Sequence, residues 1–337
     1  MTKLPKKEIS LTDGVIVFAL AIGANLAVQF VYGAILGLMG RESAASDYEQ
    51  LAVMAVMQLS WLASTIIYFI VRKRNPKLLY PIEDARPSAA LSLILPILCI
   101  AGFYLLTSSF DSFLGKINYQ KNPGIKTDTA GKFVFAIIVM VILAPFCEEL
   151  IFRGVLFSGL CKKLNPYIAA LLSAVAFTFM HMNPEQTLYQ FFLGYACALA
   201  AYKSGSIVTS MVLHSGSNLI AVLLGISKIG NAFAKAVNAL TRTPAIAALS
   251  TIVLALGCGA AIYGICEAMK KLNIKYSRRK HEESSEGEGV NPAGEESAPS
   301  AAVSDSKNTK DFVIYGVTTG LCAFMWILVF IQAMKGA

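Results

Sequence analysis

The sequence predicts an all-α fold, a polytopic transmembrane helical bundle of about 8–9 spans. Three observations carry that expectation. Of its 337 residues, 55% are hydrophobic and only 15% charged, whereas a soluble chain carries about 25% charge. The mean hydropathy is +0.59. The apolar residues also fall in runs of the length that a bilayer requires, about 20 residues per spanning helix. So little polar surface cannot cover a water-exposed fold, but lipid accepts apolar outer faces once helices satisfy the backbone internally.

The expected spans are 14–39, 51–71, 88–109, 133–157, 166–182, 187–202, 206–225, 245–269 and 312–334. The first run follows MTKLPKKE and is too long for the apolar part of a cleaved signal peptide, so it reads as a retained span. The stretch 166–225 packs three spans closely and its boundaries are loose. The expected organisation is N-terminal helices over 1–129, a helical core over 130–225, a further transmembrane helix in 226–270, a cytoplasmic loop in 271–311 and a C-terminal transmembrane helix in 312–337. No internal repeat of the kind that marks inverted transporter halves is visible.

Lys and Arg in the connections set the expected orientation. With the N-terminus inside, the inner segments hold 19 basic residues and the outer segments 9, which favours a cytoplasmic N-terminus. The formal net charge of +8 therefore reads as cytoplasmic loops rather than a nucleic-acid surface. The segment 277–310 is rich in Ser, Glu, Gly, Ala and Pro and is expected to be disordered. Its basic lead-in, Lys270 to Lys280, suits an anionic leaflet, and His281 reads as a solvated residue. The seven cysteines sit in or beside apolar stretches without a CxxC pair and read as small packing residues.

Against this background the fourth span carries Glu148, Glu149 and Arg153 amid Phe, Ile, Leu and Val. Each charge at a helix centre in lipid costs about 2.5–3.5 kcal/mol on insertion scales. Glu149 and Arg153 are four apart and share a helix face, so they can pair. Glu148 is turned about 100° away and lacks that partner. Pro145 cannot donate a backbone hydrogen bond and should kink the helix. Taken alone, the three have a plain structural reading, a salt bridge plus a carboxylate at the membrane surface.

Two histidines fall within spans. His181 closes the fifth, four residues after Phe177, and His214 lies in the seventh, four before Asn218. Singly, each suits an interhelical hydrogen bond or an interfacial position. Depth links them. Counting from the joint at 160–165, Glu148 lies roughly 18 Å deep and His181 roughly 24 Å. Counting from Ser206 on the same side, His214 lies roughly 12 Å and Asn218 roughly 18 Å deep. The four can converge on one buried cavity. A buried carboxylate can act as general base, an imidazole can orient water, and His with an Asn amide can donate to an oxyanion. These are the parts for hydrolysis by activated water. No serine or cysteine stands in an evident nucleophile setting, and HExxH is absent.

Three motifs then stand in order: Glu148-Glu149-Leu-Ile-Phe-Arg153, Phe177-Thr-Phe-Met-His181 and His214-Ser-Gly-Ser-Asn218. Over about residues 130–225 the chain resembles the CPBP family of intramembrane proteases, which includes the Ras-converting CAAX protease and bacterial Abi-type proteins. The resemblance implies an intramembrane endopeptidase, in the family's usual classification a metalloprotease, acting on peptide or membrane-protein substrates in the lipid bilayer of a bacterial cell. It implies that Glu148 activates water with His181, that His214 and Asn218 form the oxyanion site, and that Glu149, Arg153 and Phe177 support them. It also makes Zn2+ a candidate cofactor, with Glu148, His181 and His214 as candidate ligands; an imidazole and carboxylate site without metal serves the same chemistry. Two readings from other classes stand beside it. One is a non-catalytic membrane binding or immunity protein, against which the intact motifs count. The other is an ion-coupled transporter using Glu148, against which the missing repeat counts.

Overall fold

A computed structural model describes residues 9–41, 44, 46–75, 86–119, 124–285 and 305–335. The described residues form helices without a strand. They are α1 (Leu11–Leu38), α2 (Asp47–Val71), α3 (Arg86–Ser92), α4 (Leu95–Lys116), α5 (Ala130–Leu160), α6 (Pro166–Met180), α7 (Thr187–Ser204), α8 (Ile207–Leu224), α9 (Ser227–Leu240), α10 (Pro244–Ser285) and α11 (Asp305–Lys335). The protein is an integral membrane bundle. Seven of these stretches are long and apolar enough to cross a membrane, the third running through α3 and α4. Large apolar side chains on them face outward, among them Leu38, Leu256 and Val317.

Each of the nine expected spans is helical, yet α6 and α7 fall outside those seven. α6 has 15 residues, roughly 22 Å of helix against a hydrocarbon core of about 30 Å. It stops where the chain turns through a short 3-10 segment at Pro184–Gln186 before α7 begins. Irregular backbone at membrane depth is tolerated where it lines a cavity rather than lipid, and Asn183 and Gln186 do line one.

Two other expectations change. The connection 226–244 holds a helix, α9, with Ile229, Phe233, Val237 and Leu240 at three- and four-residue spacing and no buried residue. Such a stripe is amphipathic, and a scan for long apolar runs passes over it. Its start is held by Asp128, which accepts from the Ser227 backbone N–H at 2.7 Å and hydroxyl at 2.6 Å. Those bonds keep the Asp128 carboxyl below its usual range. Helix α10 also continues to Ser285, into the segment expected to be disordered, and α11 begins at Asp305. Neither Gly nor Pro interrupts the chain from Ile265 to Glu286, so nothing local stops the helix. Residues 286–304 of that expected loop lie outside the described residues.

α5 is the axis. One apolar cluster joins its second half to α1, α2, α6 and α11, and another joins its first half to α2 and α8. A third joins α4, α7, α8 and α10. Small residues set the approach of α1: a Cβ on Gly14 would lie 3.1 Å from both the Leu156 Cα and the Val155 carbonyl oxygen. α11 is stapled across the bundle by three hydrogen bonds: Thr12 Oγ1 to Asp311 at 2.8 Å, Tyr315 Oη to the Leu172 carbonyl at 2.7 Å and Trp326 Nε1 to Thr187 Oγ1 at 2.8 Å.

Candidate active site

α5 is continuous through Pro145, but its hydrogen bonding is not uniform. Ile137–Leu143 and Leu150–Phe157 form π turns, with Ala144–Glu149 between them as α-helix. Pro145 explains part of this. The Ala144 N–H bonds back to the Val139 carbonyl, so the next donor in π register for the Met140 carbonyl would be residue 145, and proline has none. The orphaned carbonyl accepts instead from Asn218 Nδ2 of α8 at 2.7 Å. π turns recur at functional sites, where they turn side chains relative to the regular helix.

Glu149 is fully buried and gathers two partners on one oxygen. Arg153 Nη1 donates to its Oε1 at 2.8 Å, the pairing expected from the four-residue spacing. His214 Nδ1 meets the same oxygen at 2.9 Å. Arg153 reaches on to the Gly194 carbonyl at 2.7 Å and lies over the Phe177 ring at 4.7 Å. The guanidinium thus ties α5 to α6 and α7. Phe177 in turn packs edge-on against His181 and His214, with ring centroids 4.7 and 5.6 Å away.

Glu148, 4% exposed, points into a cavity of about 440 Å3. Its Oε1 accepts from Gln58 Nε2 of α2 at 2.7 Å. Its Oε2 has no hydrogen-bond partner. His214 Nε2 stands 3.7 Å from that oxygen and His181 Nε2 3.9 Å. The imidazole tautomers follow from the other ring nitrogens. His181 Nδ1 lies 2.8 Å from the Phe177 carbonyl, which can only accept, and His214 Nδ1 faces the Glu149 carboxylate. Both Nδ1 atoms therefore donate, and in the neutral tautomer each ring presents a bare Nε2 toward Glu148. Two lone pairs and a carboxylate oxygen around one point make a place for a proton-donating molecule such as water.

Of the sequence-derived residues, the structure brings Glu148, His181 and His214 together at the cavity, with Asn218 in its wall. Glu149, Arg153 and Phe177 form the layer behind. Two features were not visible in the sequence: the contact of Glu149 with His214, and Gln58. The second had a signal, because Gln58 is the one carboxamide in the apolar run from Leu51 to Val71. The donor types of Glu148, His181 and His214 suit zinc. Even so, among the described residues no three His, Cys, Asp or Glu side chains are grouped as an ion's ligands would be.

Residues 130–220 match the model of the family described as type II CAAX prenyl endopeptidase Rce1-like. A Bacillus subtilis (strain 168) protein named "Putative membrane peptidase YdiL" is 26% identical over 182 residues, covering 51% of this chain and 72% of that protein. An uncharacterized protein of Mycoplasma capricolum subsp. capricolum is 26% identical over 167 residues, covering 47% of each. The matched segment is the one that carries the three motifs and, with them, the cavity's acid and both its histidines. Over this segment the chain is similar to the Rce1-like CAAX prenyl endopeptidases, the family that its three motifs resemble.

Proposed function

We propose that the protein is an intramembrane endopeptidase that hydrolyses a peptide bond of a peptide or membrane-protein substrate with water activated by Glu148. The observation that carries this reading is the free Glu148 Oε2, buried, unpartnered and faced by two imidazole nitrogens at 3.7 and 3.9 Å. A water held among these acceptors gives its proton to Glu148 as its oxygen bonds to the substrate's carbonyl carbon. The carbonyl π pair moves onto oxygen. Asn218 keeps one N–H beyond the one it gives to Met140, and that N–H is the donor for the oxyanion; His214, expected beside it in that role, gives its N–H to Glu149 and turns Nε2 to Glu148 instead. The oxyanion then re-forms the carbonyl, the C–N bond breaks, and the proton on Glu148 passes to the leaving nitrogen. The products are a carboxylate and an amine.

Glu149 holds the His214 ring in one tautomer, with Nε2 turned to the water, the role an orienting carboxylate plays beside other catalytic histidines. A zinc ion held by Glu148, His181 and His214 would polarise the carbonyl and acidify the water. The steps above need only the chain's own groups. The same reading sets the protein in a bacterial cell membrane with a cytoplasmic N-terminus, supported by the basic-residue asymmetry and by relatives from two bacteria.

The test is reconstitution in liposomes with a peptide library that includes prenylated C-terminal peptides, the first to try given the matching family. Wild type should cleave. Glu148→Ala should not, while still folding into the membrane. Cleavage by Glu148→Ala and His214→Ala as fast as by wild type would overturn the assignment.

A further inference from the structure

We infer that Gln58, on a helix outside the family-matched segment, is part of the active site: its amide N–H fixes the Glu148 carboxylate and its carbonyl receives a backbone N–H of the substrate. The inference rests on the peptidase reading and extends it to a residue that none of the three motifs contains.

Both partners are buried, Gln58 at 6% and Glu148 at 4% exposure. The Nε2 to Oε1 distance of 2.7 Å belongs to a strong, charge-assisted bond. That bond occupies one carboxylate oxygen and leaves Oε2 as the one turned toward His181 and His214. A carboxylate without it is free to rotate about its last torsion, which is broad and roughly two-fold. Gln58 therefore selects which oxygen meets the water.

The other end of the same amide is the second observation. Gln58 Oε1 is buried and has no partner, although buried acceptors are nearly always paired. It lies in the wall of the reaction cavity, with Trp61 one turn along α2 and Met57 beside it. A residue that only braced Glu148 would have its carbonyl satisfied within the fold. An acceptor left open beside the reacting carboxylate fits an incoming N–H, and an extended peptide brings one on every residue. Charge is confined to the reacting groups here: the cavity's remaining polar lining is mostly carboxamide, from Asn25, Gln29, Asn183, Gln186 and Gln190.

The experiment uses the full chain in liposomes and a peptide that wild type cleaves, together with copies N-methylated at one backbone amide each. Gln58→Met keeps the side-chain length and removes both hydrogen bonds. It should lower kcat about 10- to 100-fold, the worth of one hydrogen bond to a charged group. In wild type, one N-methylated peptide should show KM raised about 10-fold with kcat nearly unchanged. Gln58→Met should lose that discrimination. Gln58→Glu, which retains an acceptor and sets a second carboxyl against Glu148, should keep the discrimination and shift the pH dependence of kcat. It also serves if Gln58→Met fails to fold. Turnover of Gln58→Met within two-fold of wild type, or the same N-methyl penalty in both, overturns the inference. A second arm does not need turnover. Carbodiimide labelling of Glu148, read by mass spectrometry, should be at least about five-fold faster in Gln58→Met, because the freed carboxyl turns into the cavity. Equal labelling overturns the role of Gln58. Failure of wild type to cleave any peptide overturns the peptidase reading, and the labelling arm still decides Gln58.

Discussion

His214 Nδ1 and Arg153 Nη1 meet on a single oxygen, Glu149 Oε1, at 2.9 and 2.8 Å. All three side chains are buried. The carboxylate compensates a guanidinium that would otherwise lie unpaired inside the bundle, and it sets the tautomer of the ring that faces Glu148. The adjacent glutamates therefore divide the work, with Glu149 organising and Glu148 exposed to the cavity.

Removing one partner of a buried ion pair strands the other, at a cost of about 3–5 kcal/mol. Glu149→Ala should therefore lower the melting temperature strongly and abolish turnover together. Glu148→Ala should abolish turnover with a smaller melting loss, because it strands only the neutral Gln58 amide. The contrast is read by thermal unfolding in detergent next to a cleavage assay. Equal melting losses in both variants would remove the division of labour argued here.

The arrangement of Glu148, His181 and His214 also bears on metal dependence. Bare Nε2 atoms and a carboxylate are ligand types for zinc, while the steps proposed above run on water and the chain's own groups. The expected outcome is that turnover survives dialysis against a strong chelator, with zinc in the purified active protein far below one ion per chain by elemental analysis. Turnover that is lost on chelation and restored by zinc would give the three residues the ligand role instead.

How far this was legible in the sequence depends on the range of each interaction. Glu149 with Arg153 follows from four-residue spacing alone. The spans follow from apolar runs, because lipid imposes a length. His181 and His214 could be brought level with Glu148 by counting helical rise, although that counting cannot say which atoms face each other. Gln58 was out of reach of any such count: 90 residues separate it from Glu148, and a helix packed elsewhere in the bundle would present a glutamine equally well. α9 was passed over for a different reason. Its apolar residues recur every three or four positions, so no continuous run marks it, and its start is anchored by Asp128, 99 positions away.

Gly194 marks a close approach that supports the same layer. A Cβ there would lie 3.0 Å from Phe177 Cδ1, 3.3 Å from Ala174 Cα and 3.4 Å from Arg153 Nη2. The Gly194 carbonyl is also the second acceptor of Arg153. Gly194→Ala asks its neighbours to yield by a few tenths of an ångström. Gly194→Val should displace Phe177 and the guanidinium, costing about 1–3 kcal/mol as overpacking does. Melting temperature should fall in the order wild type, Ala, Val. Cleavage by the Val variant should fall further than its folded fraction explains, since both histidines rest on Phe177. A Val variant with wild-type melting and turnover would show that the layer is looser than these distances indicate.

Asn218 and Pro145 make a pair that separates structure from chemistry. Asn218 Nδ2 donates to the Met140 carbonyl that Pro145 leaves without a helical donor. Asn218→Leu should therefore cost about 1 kcal/mol, the worth of a half-buried hydrogen bond whose acceptor is left unpaired. Pro145→Ala returns a backbone N–H to the helix at the position from which Met140 can be reached. It should recover most of the melting loss in the double variant, so the two substitutions combine non-additively in a double-mutant cycle. Turnover should behave otherwise. If the second N–H of Asn218 stabilises the oxyanion, its removal costs about 100- to 1000-fold in kcat, and no backbone amide at residue 145 replaces a donor in the cavity. The expected result is a double variant that melts close to wild type and cleaves as poorly as Asn218→Leu. Recovery of turnover along with stability would confine Asn218 to the backbone of α5.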